Sequence, residues 1–443
     1  MGGVAEHAEI PGVIAEKIRS WRWPIAVTTV LAVTSLFPLS PLVDLGNPGA
    51  LPAGTLHFPF AYHVLAPASA TLDTLTLLSP AQYLGTLGLA AIALLASVTL
   101  RGSRNRAHAR RRLLTSGFRF IAGAVGLAEL VLVARRPMAA LALRDPDLLA
   151  VDFHSHTSAS HDGRAGFDAE ENRQWHSSAG FAAAYVTDHR SVEGAVSGAN
   201  GNPQLAGRST TLLSGVELRD GDEHPILIGI DPQRTRITSG DWQPALVGRD
   251  NDPTPPVLLL SLPGDLLRVP AEMTRGRVHL AGIEMSDGSP RGIAQAGRDR
   301  DALLTFARTA RVAFVSGSDN HGWGRTAPAW SVMRIRGWQT MTPSALDVAI
   351  RRTLIYEGPR AVQVIARRTA PIPTNMAGIA ISGFAVGVVM LRTMSLADRI
   401  SCGAWCWGLC ALLRLPSRLR ERSVARVWTR RPQAADAGAA ASA

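Results

Sequence analysis

The sequence predicts an α/β domain set between apolar helices long enough to enter a bilayer. Three observations predict it. Between about residues 148 and 365, short apolar runs bounded by turn residues alternate with helical stretches, the pattern of buried strands covered by helices. Outside that region the chain carries four apolar runs close to the ~20 residues that a bilayer span needs. Histidines and carboxylates also gather directly after the strand-like runs, where the loops of an α/β barrel build their sites.

Composition sets the frame. Of 443 residues, 46% are hydrophobic and 18% charged, below the roughly 25% charged residues of an ordinary globular chain. The length predicts two or three domains. The net charge of +11 comes almost wholly from arginine, which fits either nucleic acid or the cytoplasmic flanks of membrane spans. Cys402, Cys406 and Cys410 repeat at i, i+4 and i+8, one face of a helix. They read as small apolar residues of a membrane-facing helix, although palmitoylation or metal binding would use the same spacing.

The apolar runs come first along the chain. Trp23 to Val43 lacks a small-residue cleavage site and reads as an uncleaved anchor, with Pro24, Pro38 and Pro41 near its ends. Ala81 to Leu100 is the second run. Phe118 to Ala134 is the third, with Glu129 as its weak point. Ile372 to Leu391 is the fourth. Ile400 to Leu413 is short for a span and reads as interfacial or re-entrant.

Basic residues orient these runs. Lys17, Arg19 and Arg22 precede the first, residues 44–80 hold no Lys or Arg, and "RGSRNRAHARRR" follows the second. The N-terminus and the arginine-rich loop are therefore expected inside. Residues 44–80 and about 145–370 are expected on the periplasmic or extracellular side of the cytoplasmic membrane. The fourth run would return the basic tail, "RLPSRLRERSVARVWTRR", to the cytoplasm. Arg135 and Arg136, on the outer side, are the contrary signal. If the third run does not span, the central domain moves to the cytoplasm. The expected organisation is a membrane region over 1–145 with about three spans, a soluble domain over 146–368, a membrane helix with a short apolar helix over 369–416, and a basic, disordered tail over 417–443. The lipid bilayer is an expected partner. Nucleic acid is not, because topology and anionic headgroups account for the arginines.

Within the central domain, "DLLAVDF", "FAAAYVT", "TTLLSGVE", "PILIGI", "PVLLLSL", "RVHLAGIEM" and "RVAFVSGS" read as buried strands. "DAEENRQWHSSAG" and "RDALLTFARTA" read as helices between them. His154 and His156 stand at i and i+2 after the first strand, so both imidazoles share one face. Asp188 and His189 follow the second strand, and Glu217, with His224 beyond it, follows the third. Asp319 and His321 follow the last, again at i and i+2. Imidazole and carboxylate ligands together suit Zn, Mn or Fe. His57 and His63 lack partners at ligand spacing.

The motifs "DFHSHTSASHDG", "VTDH", "GVE" with His224, and "SGSDNH", in that order over roughly 150–325, resemble the PHP (polymerase and histidinol phosphatase) superfamily. The spelling "ENRQWHSSAGFAAAYVTDHR" resembles its carbaryl-hydrolase-like branch. The resemblance implies a distorted (β/α)7 barrel, here flanked by transmembrane helices, holding one to three divalent metal ions. It implies His154, His156, Glu217 and Asp319 at a first metal, and Glu217 and His224 at a second. Asp162, His189 and His321 are implied at a third. Where the family places a further histidine, this chain has Leu262, which cannot ligate, so either His279 or Glu284 substitutes or the second metal is weak or absent.

Such a site implies hydrolysis by a metal-activated water, by default of a phosphoester in a small anionic or ester-like substrate. The alternatives are a carbamate, ester or amide hydrolase, or a degenerate domain serving as a membrane sensor or scaffold. His161 and Arg190 stand beside ligands as candidates to protonate a leaving group or grip an anion; ordinary loop polarity is the other reading of both. Beyond Arg164 and Arg190 no obvious Arg/Lys-rich phosphate cradle is present, which keeps the carbamate, ester or amide reading open. Asp152 and Asp188 are expected to orient ligand imidazoles or to hold turns. His176 reads as surface or packing, and Trp323 as core or rim packing.

Overall fold

The structure, a computed structural model, describes residues 10–100, 106–219, 224–235, 254–261 and 279–413. Leu262, the basic residues 101–105 and the tail over 417–443 lie outside them.

The seven runs read as strands are all strands, and they lie in one ten-stranded sheet. The N-terminal region comprises α1 (Ile10–Ser35), β1 (Leu42–Asp44), β2 (Gly54–His57), α2 (Phe60–Val64), α3 (Ala66–Thr76), α4 (Pro80–Leu100) and α5 (Arg106–Val133). The domain follows with β3 (Ala140–Leu143), β4 (Leu148–Ser155), α6 (Ala169–Ala179), β5 (Ala183–Val186), α7 (Glu193–Asn200), β6 (Thr211–Glu217), β7 (His224–Ile228), β8 (Val257–Ser261) and β9 (His279–Ser286). Next come α8 (Pro290–Ala310), β10 (Ala313–Ser316), β11 (Ala329–Arg334), α9 (Pro343–Glu357) and β12 (Gln363–Arg367). The chain then closes with α10 (Met376–Thr393) and α11 (Leu396–Leu412).

The sheet order is β1-β12-β11-β4-β5-β6-β7-β8-β9-β10. Strands β4, β5 and β6 run parallel, as do β8, β9 and β10. Both faces of these strands are buried, which is why they read as unbroken apolar runs rather than alternating ones. Phe153 and Tyr185 stack between them at 5.6 Å. The sheet curls until the turn after β10, its last strand, reaches the end of β4: Ser155 bridges Asn320, and the Asp319 N–H donates to the His154 carbonyl at 2.9 Å.

The regular (β/α)7 pattern is broken in two places. Strand β7 pairs antiparallel with both β6 and β8. Only seven positions separate Glu217 from His224, whereas a parallel crossover needs a dozen or more residues. On the other edge, β11, β12 and β1 join antiparallel. The fold is therefore a mixed α/β, half-barrel sheet.

The N-terminal region contributes directly to this sheet. Helix α1 ends at Ser35, and the rest of the first apolar run turns at Pro38 and Pro41 so that Leu42–Asp44 can pair with β12. Residues 44–80 also pack on the domain. Asp73 of α3 receives Arg136 at 3.1 Å and the Tyr62 hydroxyl at 2.9 Å, both buried, and the partly buried Arg367 at 2.7 Å. Breaking such a pair would strand a buried charge, so this cluster fixes α3 to the sheet.

By length and composition, Leu114–Val133 and Met376–Thr393 are apolar enough to cross a membrane, and Pro80–Ala96 is a shorter apolar helix. Gly85 packs against Ser382, while Leu78 joins Val386 and Val389. Helices α4 and α10 therefore run antiparallel through small residues that let their backbones approach. The last turn of α10 comes back beside the sheet, where Arg392 donates to the Phe37 carbonyl at 2.6 Å. The segment that leaves the sheet again is α11, which lies along α1: Arg399 donates to the Leu31 carbonyl at 2.7 Å, and Trp407 stacks on Trp21.

Candidate metal centre

The site lies at the C-terminal ends of β4, β5, β6 and β10. Period-2 geometry at the end of β4 aims His154 and His156 the same way. Beyond β10, Asp319 adopts φ 47°, a left-handed conformation that aspartate tolerates better than most residues and that recurs at functional sites. His321 follows it into the same space.

All eight residues expected as ligands converge there. Glu217 is the hub. Its Oε2 lies 3.0 Å from His154 Nε2, 3.2 Å from His156 Nε2 and 3.1 Å from His189 Nδ1. Its Oε1 lies 2.7 Å from His224 Nδ1. Asp319 Oδ1 is 3.3 Å from His156 Nε2 and 3.6 Å from His154 Nε2. Asp162 reaches His189 at 3.3 Å and His321 at 3.2 Å. Four overlapping triads could each hold an ion: His154–His156–Glu217, His156–His189–His321, His161–Asp162–His189 and His189–Glu217–His224.

Electrostatics and unmet hydrogen bonds fit cations at this position. Both ring nitrogens of His156, and Nε2 of His321, are buried without a hydrogen bond, which is rare unless an ion or water completes the group. Against the cost of burial, the carboxylates of Asp319 and Glu217, 3.3 and 3.2 Å from its Nε2, raise His156 to about 9. Burial also opposes charge on His154, yet Glu284, Glu217 and Asp319 hold it well above the usual imidazole range. Burial takes His189 the other way, to about 4, with His156 beside it adding to the fall. Asp287 is driven well above the ordinary carboxylate range by burial and by Asp319 and Glu284. Two imidazoles held in the charged form thus balance the crowded carboxylates, a charge that divalent ions would supply in their place.

The remaining candidates fall in different places. His161 is exposed on the rim, its ring 5.1 Å from that of His189. Arg190 has an exposed side chain and φ 50°, and its N–H donates to the Glu217 carbonyl. Asp188 accepts from the N–H and hydroxyl of Thr157 at 2.6 and 2.8 Å, and so holds the turn after His156. Asp152 accepts from the N–H groups of His154 and Ser318. His176 is fully buried against it at 2.7 Å, so its role is internal. Of the two residues offered as stand-ins for the missing histidine, His279 opens β9 at its far end. Glu284, near the other end, reaches His154 Nδ1 at 3.4 Å and accepts from the Ser261 hydroxyl at 2.6 Å.

A cleft of about 230 Å³ opens on these ligands, and Asp287, Ser289, Arg291 and Gln295 form its other wall. Sequence reasoning did not single out these four. Asp287 and Ser289 lie in the polar turn "SDGSP" and Arg291 and Gln295 follow it; Ser289 caps α8, and that capping signal was the available clue.

No family model matches the chain, and neither does any curated protein. Among solved structures, PsfC from Pseudomonas syringae is 14% identical over 56% of this chain and 99% of its own, with a TM-score of 0.33. A two-domain protein from Bacteroides vulgatus, containing a predicted PHP-like metal-dependent phosphoesterase, is 14% identical over 54% and 71%, with a TM-score of 0.34. An amidohydrolase from Chromobacterium violaceum, with bound sulfate and no metal, is 16% identical over 45% and 96%, with a TM-score of 0.28. Likenesses this partial leave the reading of the site to its own residues.

Proposed function

We propose that this chain is a metal-dependent hydrolase of the PHP kind, acting on phosphoesters and anchored in the cytoplasmic membrane with its catalytic domain outside. The observation that carries the reading is Glu217, whose two oxygens face four imidazoles from β4, the β5 loop and β7. A carboxylate so placed suits bridging two cations. His154, His156, Glu217 and Asp319 would hold one ion, Glu217 and His224 a second, and Asp162, His189 and His321 a third. Bound divalent ions supply Lewis acidity and a water acidic enough to ionise near neutral pH.

The chain's own groups do the rest. Arg291, at the cleft wall, offers a cation to an anionic substrate. The start of α8, capped by Ser289, adds N–H groups that favour negative charge. His161, at the exposed rim beside His189, is placed to give a proton to a departing oxygen. Glu284 and the Asp152–His176 pair hold His154 and the two strand ends in place, as partners of ligands do. The arginine-free 44–80 segment and the basic loop after α4 support the outward placement of the domain.

The test uses the full chain in detergent. Metal content is counted, and hydrolysis of p-nitrophenyl phosphate is compared with that of a naphthyl carbamate, with Mn, Zn or Fe. Phosphoester turnover that His154→Ala abolishes while the protein stays folded is expected. Bound metal without turnover of either compound would refute the hydrolase and favour a sensor. Carbamate turnover alone would move the substrate class. An alkaline phosphatase fusion after residue 145 should be active; an inactive, well-expressed fusion would place the domain inside.

A further inference from the structure

Of the two arginines that contradicted the charge rule at the outer end of α5, Arg136 is buried on Asp73, and Arg135 has a second reading. The loop that follows β10 and carries His321 sits directly on that helix end: the Gly324 N–H donates to the Leu132 carbonyl at 2.9 Å, in the last turn of α5. Between His321 and Gly324 the loop presents Trp323, 46% exposed, beside an apolar helix end where Leu132 and Val133 are also exposed. An indole next to an apolar helix terminus is the signature of a membrane–water boundary.

Cations surround this junction. Arg135, its side chain 80% exposed, and Arg164 share the single carboxylate of Glu171, each at 3.2 Å. Arg164 also straps the ligand loop, its N–H donating to the His321 carbonyl and its Nε to the Gly322 carbonyl, both at 2.8 Å. Arg325 adds a third cation whose buried Nε has no partner. Three guanidinium groups therefore face one carboxylate, an excess that fits an anionic headgroup. The other wall of the cleft reaches the apolar helices too, because Gly297 of α8 packs on Ile372, ahead of α10, and α8 touches α4. The cleft, at about 230 Å³, admits a phosphate and a few carbons and is smaller than the ~300 Å³ lower end of ordinary ligand pockets. The rest of any large substrate stays outside it, and the loop that carries His321 into the cleft is the one that rests on the end of α5.

We infer that the substrate is a phosphomonoester carried on a membrane lipid, drawn from the bilayer that α5 enters, with the arginines around the His321 loop seating the domain on the anionic headgroups of that surface while the substrate's own phosphate enters the cleft. This rests on the hydrolase reading above and names its substrate class. In the reaction the oxygen of water bonds to phosphorus, the P–O bond to the lipid breaks, and the lipid oxygen leaves with a proton as an alcohol. Inorganic phosphate is the other product.

The experiment uses the metal-loaded full chain in phosphatidylcholine vesicles, with phosphatidic acid as the lipid substrate and p-nitrophenyl phosphate as the soluble one. The ratio of lipid to soluble turnover should fall roughly fivefold or more in Arg135→Gln, and again in Trp323→Ser. A second readout does not depend on activity: brominated lipid should quench less tryptophan emission in Trp323→Ser than in the wild type. Equal loss on both substrates, or quenching unchanged by Trp323→Ser, would overturn the inference. Turnover of the soluble compound without the lipid would overturn it while leaving the hydrolase standing. Failure on both substrates, with metal bound, would bring down the hydrolase reading itself.

Discussion

His176 Nε2 lies 2.7 Å from Asp152 Oδ2, and the other oxygen of Asp152 holds the N–H groups of His154 and Ser318. One carboxylate thus ties the end of β4 to the turn after β10, the two segments that supply His154, His156, Asp319 and His321. Replacing His176 with leucine leaves that carboxylate buried without its partner, which costs about 3 kcal/mol. Denaturant unfolding of the metal-free protein should show the loss. Metal affinity should fall about tenfold or more, measured by competition with a chelator. A fall in stability with metal affinity unchanged would show that the pair does not position the ligands.

Glu217→Gln keeps the volume of the side chain and removes the charge that faces four imidazoles. The expected result is loss of more than one bound ion per chain and a drop in turnover of about 100-fold or more, read by elemental analysis and by phosphate release. Retention of the full metal complement would show that Glu217 does not bridge.

Gly317 has no room for a side chain. A Cβ there would run into His154 Cβ and Glu284 Oε1. Gly317→Ala should cost about 1–3 kcal/mol by overpacking and weaken metal binding by pushing His154 off its position. A variant with wild-type stability and metal content would mean the strand end yields freely.

The pH dependence follows from His156. Its folded value, about 9, lies above the ~6.5 of an unfolded imidazole. The stabilisation is fully present below pH ~6.5 and is lost as pH rises through about 9. Metal-free protein should therefore melt at lower temperature at pH 9 than at pH 7. Metal binding must also displace protons, so near neutral pH titration with Zn or Mn should release protons, and above pH ~9 release should fade. Calorimetry in two buffers of different ionisation enthalpy checks this; binding with no proton release at pH 7 would contradict it.

The strands and the cluster of candidate ligands were legible in the sequence for a local reason. A buried strand announces itself by its apolar run, and a ligand at its end lies within a few residues of that run. His154, His156, His189, Glu217, Asp319 and His321 could be found that way. Long-range partners could not. Asp73 meets Arg136 and Arg367 across 63 and 294 positions. His176 looked like one polar residue on a polar helix, because its partner, Asp152, is visible only once the helix lies on the sheet.

By itself, the sequence determined the α/β character of the central domain, the gathering of histidines and carboxylates at the strand ends and the apolar character of the flanking helices, since each depends on residue type at short spacing. Tertiary structure alone decided that β7 turns antiparallel, that Leu42–Asp44 joins the sheet, that α10 comes back to the sheet beside α4, and that the His321 loop rests on the end of α5. These depend on which surfaces meet. Burial energy is non-directional and marks a surface as apolar without naming the surface that will cover it.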